Sequence, residues 1–394
     1  MHPTSLPSEL LILILTFVEE TSDLSNIRLA SHTLNSLVVP LLFRTIVVTD
    51  DITSANRLIS LQTAAGDESR TAVQEIIFRG RRSLSDARTV FLDATSKPAR
   101  RTRAALATAF SQLGAKFINL HTIQLDFHPF RQLEKLALPP PPTHFHLLQL
   151  GLLRALSAHP PPPSLSSLTL INLIPTSDKI PLDEDLFHQL KLLEISVLGD
   201  GAYNAAVLYD FWETSIASLL NHAAPRLTSL GLSSITNQHP AGVRPRLPFN
   251  STLHFPFLTN LSLINFIFAP THAADSPDND LLAFILRHKS TLTHLTLAYC
   301  AVYGGDSMPG VYPRPWRSIF QRLQEELTYL RRFDFAHIVG FQYVVQLVPP
   351  DHSALVLGFF YDDGEARMRM REGDCDAYER LMEGVRERAL DVVA

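Results

Sequence analysis

The segments LTSLGL at residues 227–232, LTNLSL at 258–263 and LTHLTL at 292–297 repeat one phrase, L-x-x-L-x-L. Six good copies of the phrase follow one another along the chain, and a degenerate copy stands before and after them. The eight copies begin at Val73, Leu120, Leu165, Leu190, Leu227, Leu258, Leu292 and Leu330. The last apolar positions alternate with other residues, which is the period of a β-strand with one apolar face. The sequence therefore predicts a series of strands that share a buried face.

A single strand of this kind cannot bury its apolar face, but parallel copies stacked side by side form a continuous core. The phrase resembles the leucine-rich repeat, although its spacing of about 25 to 47 residues is longer and less regular. The resemblance implies an α/β fold, namely an irregular solenoid with a parallel sheet and with helices on the convex side. Helix-like stretches between the copies are residues 104–113, 145–158, 205–222, 280–288 and 315–327.

The first fifty residues predict three short helices. Pro7 suits the first helical position, and Glu9 places a carboxylate in the positive first turn. Residues 10–18 are apolar except for one threonine, so this helix needs cover on two sides. Asp23 is a candidate cap for a helix that runs to residue 30, and Ser31 for a third helix. Three short helices form a core too small to stand alone, so the remaining apolar surface indicates a partner.

Five segments of this region resemble the F-box in its fungal form, over residues 5–46. They are Leu6-Pro7-Ser8-Glu9-Leu10-Leu11, Ile14-Leu15, Asp23-Leu24, Ile27-Arg28-Leu29-Ala30-Ser31 and Pro40-Leu41-Leu42-Phe43-Arg44. The resemblance implies a module that binds a Skp-type adapter and so joins a cullin-RING ubiquitin ligase. The adapter-binding residues that it implies are Leu6, Pro7, Leu10 and Ile14 on the first helix and Leu37 and Leu41 on the third. Many F-boxes carry a Trp near the end of the third helix, where this chain has Leu42-Phe43. The alternative is that the helices only cap the solenoid.

These patterns divide the chain into four regions. Residues 1–46 are the F-box helical module, 47–115 a connecting region with a degenerate first repeat, 116–360 the irregular leucine-rich repeats, and 361–394 a C-terminal capping helix and tail. Residues 354–360 predict a last strand. Apolar residues at helical spacing from Cys375 to Val393 predict a helix that closes the open end of the solenoid. The proline runs Pro139–Pro142 and Pro160–Pro163 predict extended surface connections.

The bulk composition favours a folded protein with protein partners. Of the 394 residues, 46% are hydrophobic and 19% charged, and the formal net charge of −5 provides no general attraction to nucleic acid or anionic lipid. Aromatic residues that could stack on bases are sparse among the arginines between Arg79 and Arg103. Two cysteines cannot form a disulfide framework, which favours a cytoplasmic or nuclear location. Residues 10–18 are too short to span a bilayer, and no Lys or Arg precedes them, so we expect no membrane contact.

A scan for catalytic chemistry finds little. The sequence contains no H-E-x-x-H motif, no G-x-x-x-x-G-K-[ST] phosphate loop and no G-x-S-x-G elbow. His144-x-His146 is the closest histidine pair, but no Cys or carboxylate stands nearby at metal-ligand spacing. We therefore expect no catalytic residue, no cofactor and no metal.

Together these patterns predict the substrate receptor of a Skp-cullin-F-box ligase, which performs no chemistry and holds a target protein near the ubiquitin-charged enzyme. Two alternatives stay open. The first is an interaction scaffold made of the same repeats without a ligase role, and the second is an enzyme with an unfamiliar motif.

Target binding is expected on the long connection from Tyr299 to Trp316, where Tyr303, Tyr312 and Trp316 stand among glycines and prolines. For Trp316 the alternative is ordinary packing at the start of the next helix. Strand positions expected on the concave face are mostly small and uncharged, so they offer little anchoring energy. They are Thr122, Gln124, Ser167, Thr169, Ser229, Ser233, Asn260, Ser262, His294 and Thr296.

Overall fold

The computed structural model describes residues 6–18, 21–80, 96–128, 144–176, 180–182, 184–198, 205–235, 249, 253–268, 271–272, 280–303, 311–312, 315–336, 342–347, 356–359 and 373–391. These residues fall into two compact units. The first unit contains the described residues up to 128, from 144 to 170 and from 181 to 189, and the second contains those from 171 to 180 and from 190 onward. The predicted boundaries at residues 46, 115 and 360 stay predictions, and the proline run Pro139–Pro142 lies outside the described residues.

The helices and strands of the described residues have the following bounds. The helices of the first unit are α1 (Ser8–Thr16), α2 (Thr21–Ile27), α3 (His32–Phe43), α4 (Ile52–Ala64), α5 (Asp67–Ala72), α6 (Lys97–Ser111), α7 (Leu113–Lys116), α8 (His144–Leu156) and α9 (Glu184–Phe187). Those of the second unit are α10 (Ala205–Asp210), a π-helix (Phe211–Ile216), α11 (Ala217–Ala223), α12 (Leu281–Arg287), α13 (Trp316–Glu326) and α14 (Asp374–Leu390). The strands are β1 (Thr45–Thr49), β2 (Glu75–Arg79), β3 (Thr122–Asp126), β4 (Ser167–Leu173), β5 (Leu192–Leu198), β6 (Ser229–Ile235), β7 (Asn260–Ile264), β8 (Ile267–Phe268), β9 (Thr271–His272), β10 (His294–Ala298), β11 (Ala301–Tyr303), β12 (Val311–Tyr312), β13 (Arg332–Ala336), β14 (Gln342–Leu347) and β15 (Val356–Phe359).

Nine strands form a parallel sheet in the order β1-β2-β3-β4-β5-β6-β7-β10-β13. Each copy of the phrase supplies one strand, and β1 precedes the first copy. In the second unit the fourth residue of each phrase stands beside that of the next, and all of these side chains are buried. These residues are Leu193, Leu230, Leu261, Leu295 and Phe333. The prediction of an α/β fold with a parallel sheet built from the phrases is confirmed.

Helices were predicted between the strands, and most are found within a few residues of the expected bounds. The largest difference concerns α6, which begins at Lys97 rather than at residue 104. Ser96 caps this helix because its Oγ accepts the N–H of Ala99 at 3.3 Å, and Pro98 suits the first turn, where its missing N–H has no helical partner. A cap signal therefore extends the helix beyond its apolar stripe.

Three repeats carry a left-handed residue near the end of the strand, inside β4 for Asn172 and directly after β7 and β10 for Asn265 and Tyr299. Asn172, Asn265 and Tyr299 have φ angles of 60°, 63° and 55°, and all three stand two residues after the last apolar position of the phrase. Asn tolerates this conformation better than most residues. Asn265 also donates from Nδ2 to the carbonyl of Ser234 at 2.6 Å. The conformation of Asn265 is therefore stabilised by a bond to the neighbouring strand.

A second sheet follows these residues in the last repeats. Its order is β15-β14-β11-β8, and β8, β11 and β14 run parallel after β7, β10 and β13. The predicted last strand at residues 354–360 is found at Val356–Phe359, but it pairs antiparallel with β14 in this second sheet. It is therefore not a further member of the repeat series.

Three threonines link adjacent strands where the phrase begins. Oγ1 of Thr228 donates to the carbonyl of Lys191 at 3.0 Å, Thr259 donates to Thr228 at 3.0 Å, and Thr293 donates to Thr259 at 3.1 Å. Each of these carbonyls also accepts two backbone N–H groups from the next strand. The hydroxyl groups thus extend the hydrogen-bond ladder beyond the strand ends, a role that the recurring L-T pair did not reveal by itself.

Replacing Thr259 by Val is expected to lower the free energy of unfolding by about 1 kcal/mol, because the variant keeps the β-branched shape and loses one interstrand hydrogen bond. Urea unfolding of the full chain measures this change. Thr296→Val is the matched control, since among the described residues no side-chain hydrogen bond is found for Thr296. An equal loss of stability in both variants would show that the hydroxyl ladder contributes nothing.

The C-terminal helix α14 packs on α13 and on β13, the last strand of the nine-stranded sheet. The ring of Tyr378 lies 5.6, 6.3 and 5.6 Å from the rings of Phe320, Phe333 and Phe335. Nε of Arg388 donates to the carbonyl of Leu330 at 2.9 Å. The predicted terminal helix is found, and it covers apolar side chains of the edge strand that would otherwise meet water.

Candidate protein-docking surface

Helices α1, α2 and α3 share a small apolar core in the first unit. Its buried members are Leu15, Leu24 and Val38, and partly buried Val18, Ile27, Leu37, Leu41 and Leu42 pack against them. As predicted, Ser31 caps α3, and its Oγ accepts the N–H of Leu34 at 3.1 Å. The prediction that Asp23 caps α2 is wrong, because α2 begins at Thr21 and Asp23 lies in its first turn. A carboxylate there still interacts favourably with the helix dipole.

One face of α1 is apolar and exposed, and Ile12 on another side of the helix is 41% exposed as well. Leu11 and Leu15 are buried. The exposed fractions are 47% for Leu10, 54% for Leu13, 52% for Ile14 and 76% for Phe17. This spacing of i, i+3, i+4 and i+7 places the four side chains along one side of the helix. We call Leu10, Leu13, Ile14 and Phe17 the α1 stripe.

The α1 stripe is suited to bind another protein. Contiguous exposed apolar side chains mark interaction sites in proteins that are otherwise polar at the surface. Burying one leucine-sized side chain contributes about 1.5–3 kcal/mol, so four of them supply substantial binding free energy. Leu29, between α2 and α3, is 77% exposed and adds a further apolar side chain to the surface of the module.

The structure places the predicted adapter-binding residues in two different settings. Leu10 and Ile14 belong to the α1 stripe, and Pro7 is exposed at the start of α1, where its carbonyl accepts the N–H groups of residues 10 and 11. The sequence predicted Pro7 as the first residue of the helix. In the structure Pro7 is the N-cap, and the helix begins at Ser8. Leu6 is half-buried, and Leu37 and Leu41 pack partly on the small core.

Sequence reasoning missed four exposed apolar side chains of this module, Ile12, Leu13, Phe17 and Leu29. Continuing the helical period from Leu10 would have identified Leu13 and Phe17, because both fall on the same face. Leu29 follows the end of α2, and no periodicity distinguishes it from the core residue Leu24. Only packing decides between these two leucines.

The predicted target-binding tyrosines lie on short strands. Tyr303 ends β11 and pairs with Val344 of β14, and Tyr312 lies on β12 opposite Thr271. The connection from Tyr299 to Trp316 therefore contains paired backbone that no sequence period indicated. The side chains of Tyr303 and Tyr312 lie outside the described part of the structure, so both residues stay candidate target contacts.

The assignment of Trp316 as a target contact is wrong. Its side chain is fully buried, and its ring lies 5.4 Å from Phe268, 5.2 Å from Phe320 and 5.1 Å from Phe335. Trp316 is the first residue of α13, so the ordinary packing alternative holds. An aromatic residue at a helix start packs on the strands when the helix folds back over them.

The small side chains expected on one face of the sheet are mostly half-buried in the described structure. Asn260 and His294 are exposed, whereas Thr169 is buried. Among the strands of the second unit, β13 carries a larger pair on this face, Arg332 and Asp334, whose side chains form an ion pair at 2.8 Å. Charged residues of this face thus include Glu194 on β5 and the pair on β13.

His288 is a buried histidine whose hydrogen bonds are structural. Its Nδ1 donates to the carbonyl of Phe284 at 2.9 Å, and its Nε2 accepts the backbone N–H of Phe255 at 3.1 Å. These bonds require the neutral imidazole with its proton on Nδ1. Burial lowers the pKa of His288 to about 4, the bond to Phe284 opposes this shift, and the charges of His254 and Arg287 act with burial. His288 thus ties α12 to the segment before β7.

The free energy of unfolding is expected to fall as the pH decreases from about 6.5 towards 4. Unfolded His288 binds a proton near its ordinary pKa, whereas folded His288 binds one only near pH 4, so the unfolded state holds more protons in this window. One histidine then contributes a loss of about 1.4 kcal/mol for each pH unit. Urea unfolding at pH 7, 6 and 5 measures the slope.

The control for this prediction is His288→Leu, which is expected to be less stable at pH 7 but to show a smaller pH slope. Thr259→Val changes no histidine and should keep the slope of the parent. His128 and His146, whose pKa values burial also lowers to about 4, add to the slope in the first unit. An unchanged slope in His288→Leu would contradict the prediction.

Potential metal ligands and the thiol of Cys300 are further chemistry-bearing groups of the described residues. No group of three or more His, Cys, Asp or Glu among them is placed to hold a metal ion. Burial raises the pKa of the Cys300 thiol to about 12, which keeps it protonated and unreactive. In the same part of the chain, no helix is long and apolar enough to cross a membrane.

No protein-family model matches the chain, and no curated protein is significantly similar to it.

Proposed function

We propose that this chain is the substrate-recognition subunit of a Skp-cullin-F-box ubiquitin ligase. The observation that carries the proposal is the α1 stripe, which is exposed on a three-helix module with a very small core. A surface helix normally turns its apolar face inward, so four exposed apolar side chains fit a surface that a partner completes. The resemblance of residues 5–46 to an F-box supports a Skp-type adapter as that partner.

In the proposed complex the adapter contacts the α1 stripe, with Leu10 and Ile14 near its centre. Leu6 and Pro7 contact the adapter from the chain that enters α1. Leu37 and Leu41 contribute less, because much of their surface already packs on the module's own core. The bulky side chains at positions 42 and 43, which stand where many F-boxes have Trp, are half-buried.

The repeats would hold the target protein, and the chain itself would perform no chemistry. Binding the adapter and the target together raises the effective concentration of target lysines near the ubiquitin-charged enzyme. This role places the protein in the cytoplasm or nucleus and involves neither a membrane nor nucleic acid. Tyr303 and Tyr312 are candidate target contacts in this proposal.

Co-expression with a Skp-type adapter, followed by size-exclusion chromatography with light scattering, tests the proposal. The expected result is a complex with one copy of each protein, which also takes up the N-terminal domain of a cullin. A folded chain that stays alone in this experiment would exclude the ligase role. The alternative function, an interaction scaffold made of the same repeats without a ligase role, would then be favoured.

A further inference from the structure

In the second unit, the edge of the sheet at which the strands begin carries a regular row of residues. Backbone hydrogen bonds connect Lys191, Thr228, Thr259, Thr293 and Arg331 from strand to strand, each being the second residue of its phrase. Because the same position repeats in neighbouring strands, these residues mark one edge of the sheet. The residue that immediately precedes each phrase lies at this edge too, next to a buried leucine.

Two exposed aromatic side chains stand at this edge. Phe257 precedes buried Leu258 and is 58% exposed, and Tyr329 precedes buried Leu330 and is 54% exposed. Their strands, β7 and β13, are separated by one strand, β10, so the two positions are about 10 Å apart. Exposed aromatic side chains are the residues that most often anchor a protein partner.

Cationic side chains flank the aromatic pair. Lys191, Arg226 and Arg331 are exposed, and among the described residues none of them forms an ion pair. We call Lys191, Arg226, Phe257, Tyr329 and Arg331 the basic edge. Its positive charge contrasts with the formal net charge of −5 for the whole chain.

Neighbouring carboxylates do not cancel this charge. Glu326 binds both Lys289 and Arg322, at 3.5 and 2.8 Å, so this group retains one positive charge. Arg332 and Asp334 form a neutral pair. Other exposed carboxylates near the edge include Glu194, Glu325 and Glu387, and Glu387 is next to Arg388, whose Nε donates to the carbonyl of Leu330. The cations of the basic edge therefore exceed the nearby anions among the described residues.

We propose that the basic edge binds an acidic segment of a protein partner, with apolar side chains of that segment seated on Phe257 and Tyr329. The inference rests on the proposed function for its biological meaning, since the acidic segment would belong to the target. Cations attract the carboxylates and speed encounter. Burial of the aromatic rings then supplies affinity that charge alone does not provide in salt.

The same edge is a poorer fit for single-stranded nucleic acid. Such sites stack successive bases on aromatic side chains along a basic groove. Here two aromatic positions lie about two strand spacings, or 10 Å, apart, and the intervening phrase is preceded by Thr291 instead of a ring. An acidic protein segment needs no such continuous stacking platform.

Fluorescence anisotropy of the full chain with three labelled fifteen-residue peptides tests the proposal. One peptide is rich in Asp and Glu and carries two Leu residues, the second has Asn and Gln in place of the acids, and the third has the two Leu residues replaced by Ser. We expect the first to bind at least tenfold more tightly than either of the others. Raising the salt concentration from 0.1 to 0.5 M should weaken its binding at least fivefold.

Two double variants test the residues. Lys191→Glu with Arg331→Glu, and Phe257→Ala with Tyr329→Ala, are each expected to weaken binding of the acidic peptide at least tenfold. The matched controls are Arg57→Glu with Arg380→Glu and the single variant Ile118→Ala, which change exposed side chains elsewhere. The controls should bind within twofold of the parent, and all variants should melt within a few degrees of it.

Several outcomes would overturn the inference. They are equal binding of the acidic and amide peptides, an equal loss of binding in the control variants, and displacement of the peptide by an oligothymidylate at lower concentration than by unlabelled peptide. Adapter binding is measured on the same samples. If the chain binds the adapter but not the acidic peptide, only the inference about the basic edge is contradicted. If it binds the peptide but not the adapter, only the proposed ligase role is contradicted.

Discussion

Replacing Leu10 and Ile14 together by Asp is expected to weaken binding of a Skp-type adapter at least about 100-fold while the chain stays folded. Each substitution removes about 1.5–3 kcal/mol of apolar burial from the complex and places a carboxylate in an apolar interface, where an unpaired charge is costly. A loss of about 2.8 kcal/mol already corresponds to 100-fold in affinity. Surface plasmon resonance with immobilised adapter measures the change.

The structure indicates why the fold should tolerate this double variant. Leu10 and Ile14 are half-exposed on α1, so Asp at either position remains in water in the free chain. An Asp at position 10 lies in the first turn, where the helix dipole favours it, and an Asp at position 14 near the other end costs about 0.3–1 kcal/mol. The net change in stability is therefore small.

Two controls make this experiment decisive. Leu15→Asp places a charge in the three-helix core and is expected to unfold the module. Asn56→Asp with Ala64→Asp adds the same charge on exposed positions of α4 and should leave adapter binding unchanged. Normal adapter binding by the Leu10 and Ile14 double variant would exclude the α1 stripe as the docking surface.

Replacing Trp316 by Ala is expected to destabilise the second unit by about 3–5 kcal/mol. The indole is fully buried and packs on three phenylalanine rings, at centroid distances of 5.4, 5.2 and 5.1 Å. Its removal leaves a cavity between α13 and the strands that rigid aromatic neighbours cannot fill. Far-UV circular dichroism during urea unfolding measures the shift.

Tyr329→Ala is the matched control, because Tyr329 is an exposed aromatic residue of the same unit, and we expect a change within about 0.5 kcal/mol. Trp316→Phe should lie between the control and Trp316→Ala, since it keeps part of the packing. If Trp316→Ala unfolds at the same urea concentration as the parent, the packing assignment is wrong. Adapter binding below the transition should stay unchanged, because the helices that carry the α1 stripe belong to the first unit.

Much of the fold could be predicted from the sequence because its signals are local. The phrase L-x-x-L-x-L sets a strand period within six residues, and repetition of the phrase indicates that the strands need one another. Ser31 predicts the start of α3 in the same way, since a cap acts on the next three residues. Where the signal lies outside the periodic stretch, as with Ser96 before α6, the prediction of the helix start was wrong.

The candidate docking site could be predicted in part. Leu10 and Ile14 were predicted from the F-box resemblance. Leu24 and Leu29 are the same residue type, yet Leu24 is 7% exposed and Leu29 is 77% exposed. Leu37 and Leu41 were assigned to the adapter, but they also pack on the module's own core. Helical spacing shows which residues share a face, and it does not show what covers that face.

By itself, then, the sequence of this chain determined the strand-forming phrase, the order in which the strands follow and the apolar character of the first helix. Tertiary structure alone decided that Trp316 is buried and Phe257 exposed, that residues 356–359 pair antiparallel in a second sheet, and that Lys191 and Arg331 share one edge. The reason is that periodicity depends on neighbours along the chain. Exposure, pairing partner and shared edge depend on segments far away in sequence, which meet only when register and packing are established.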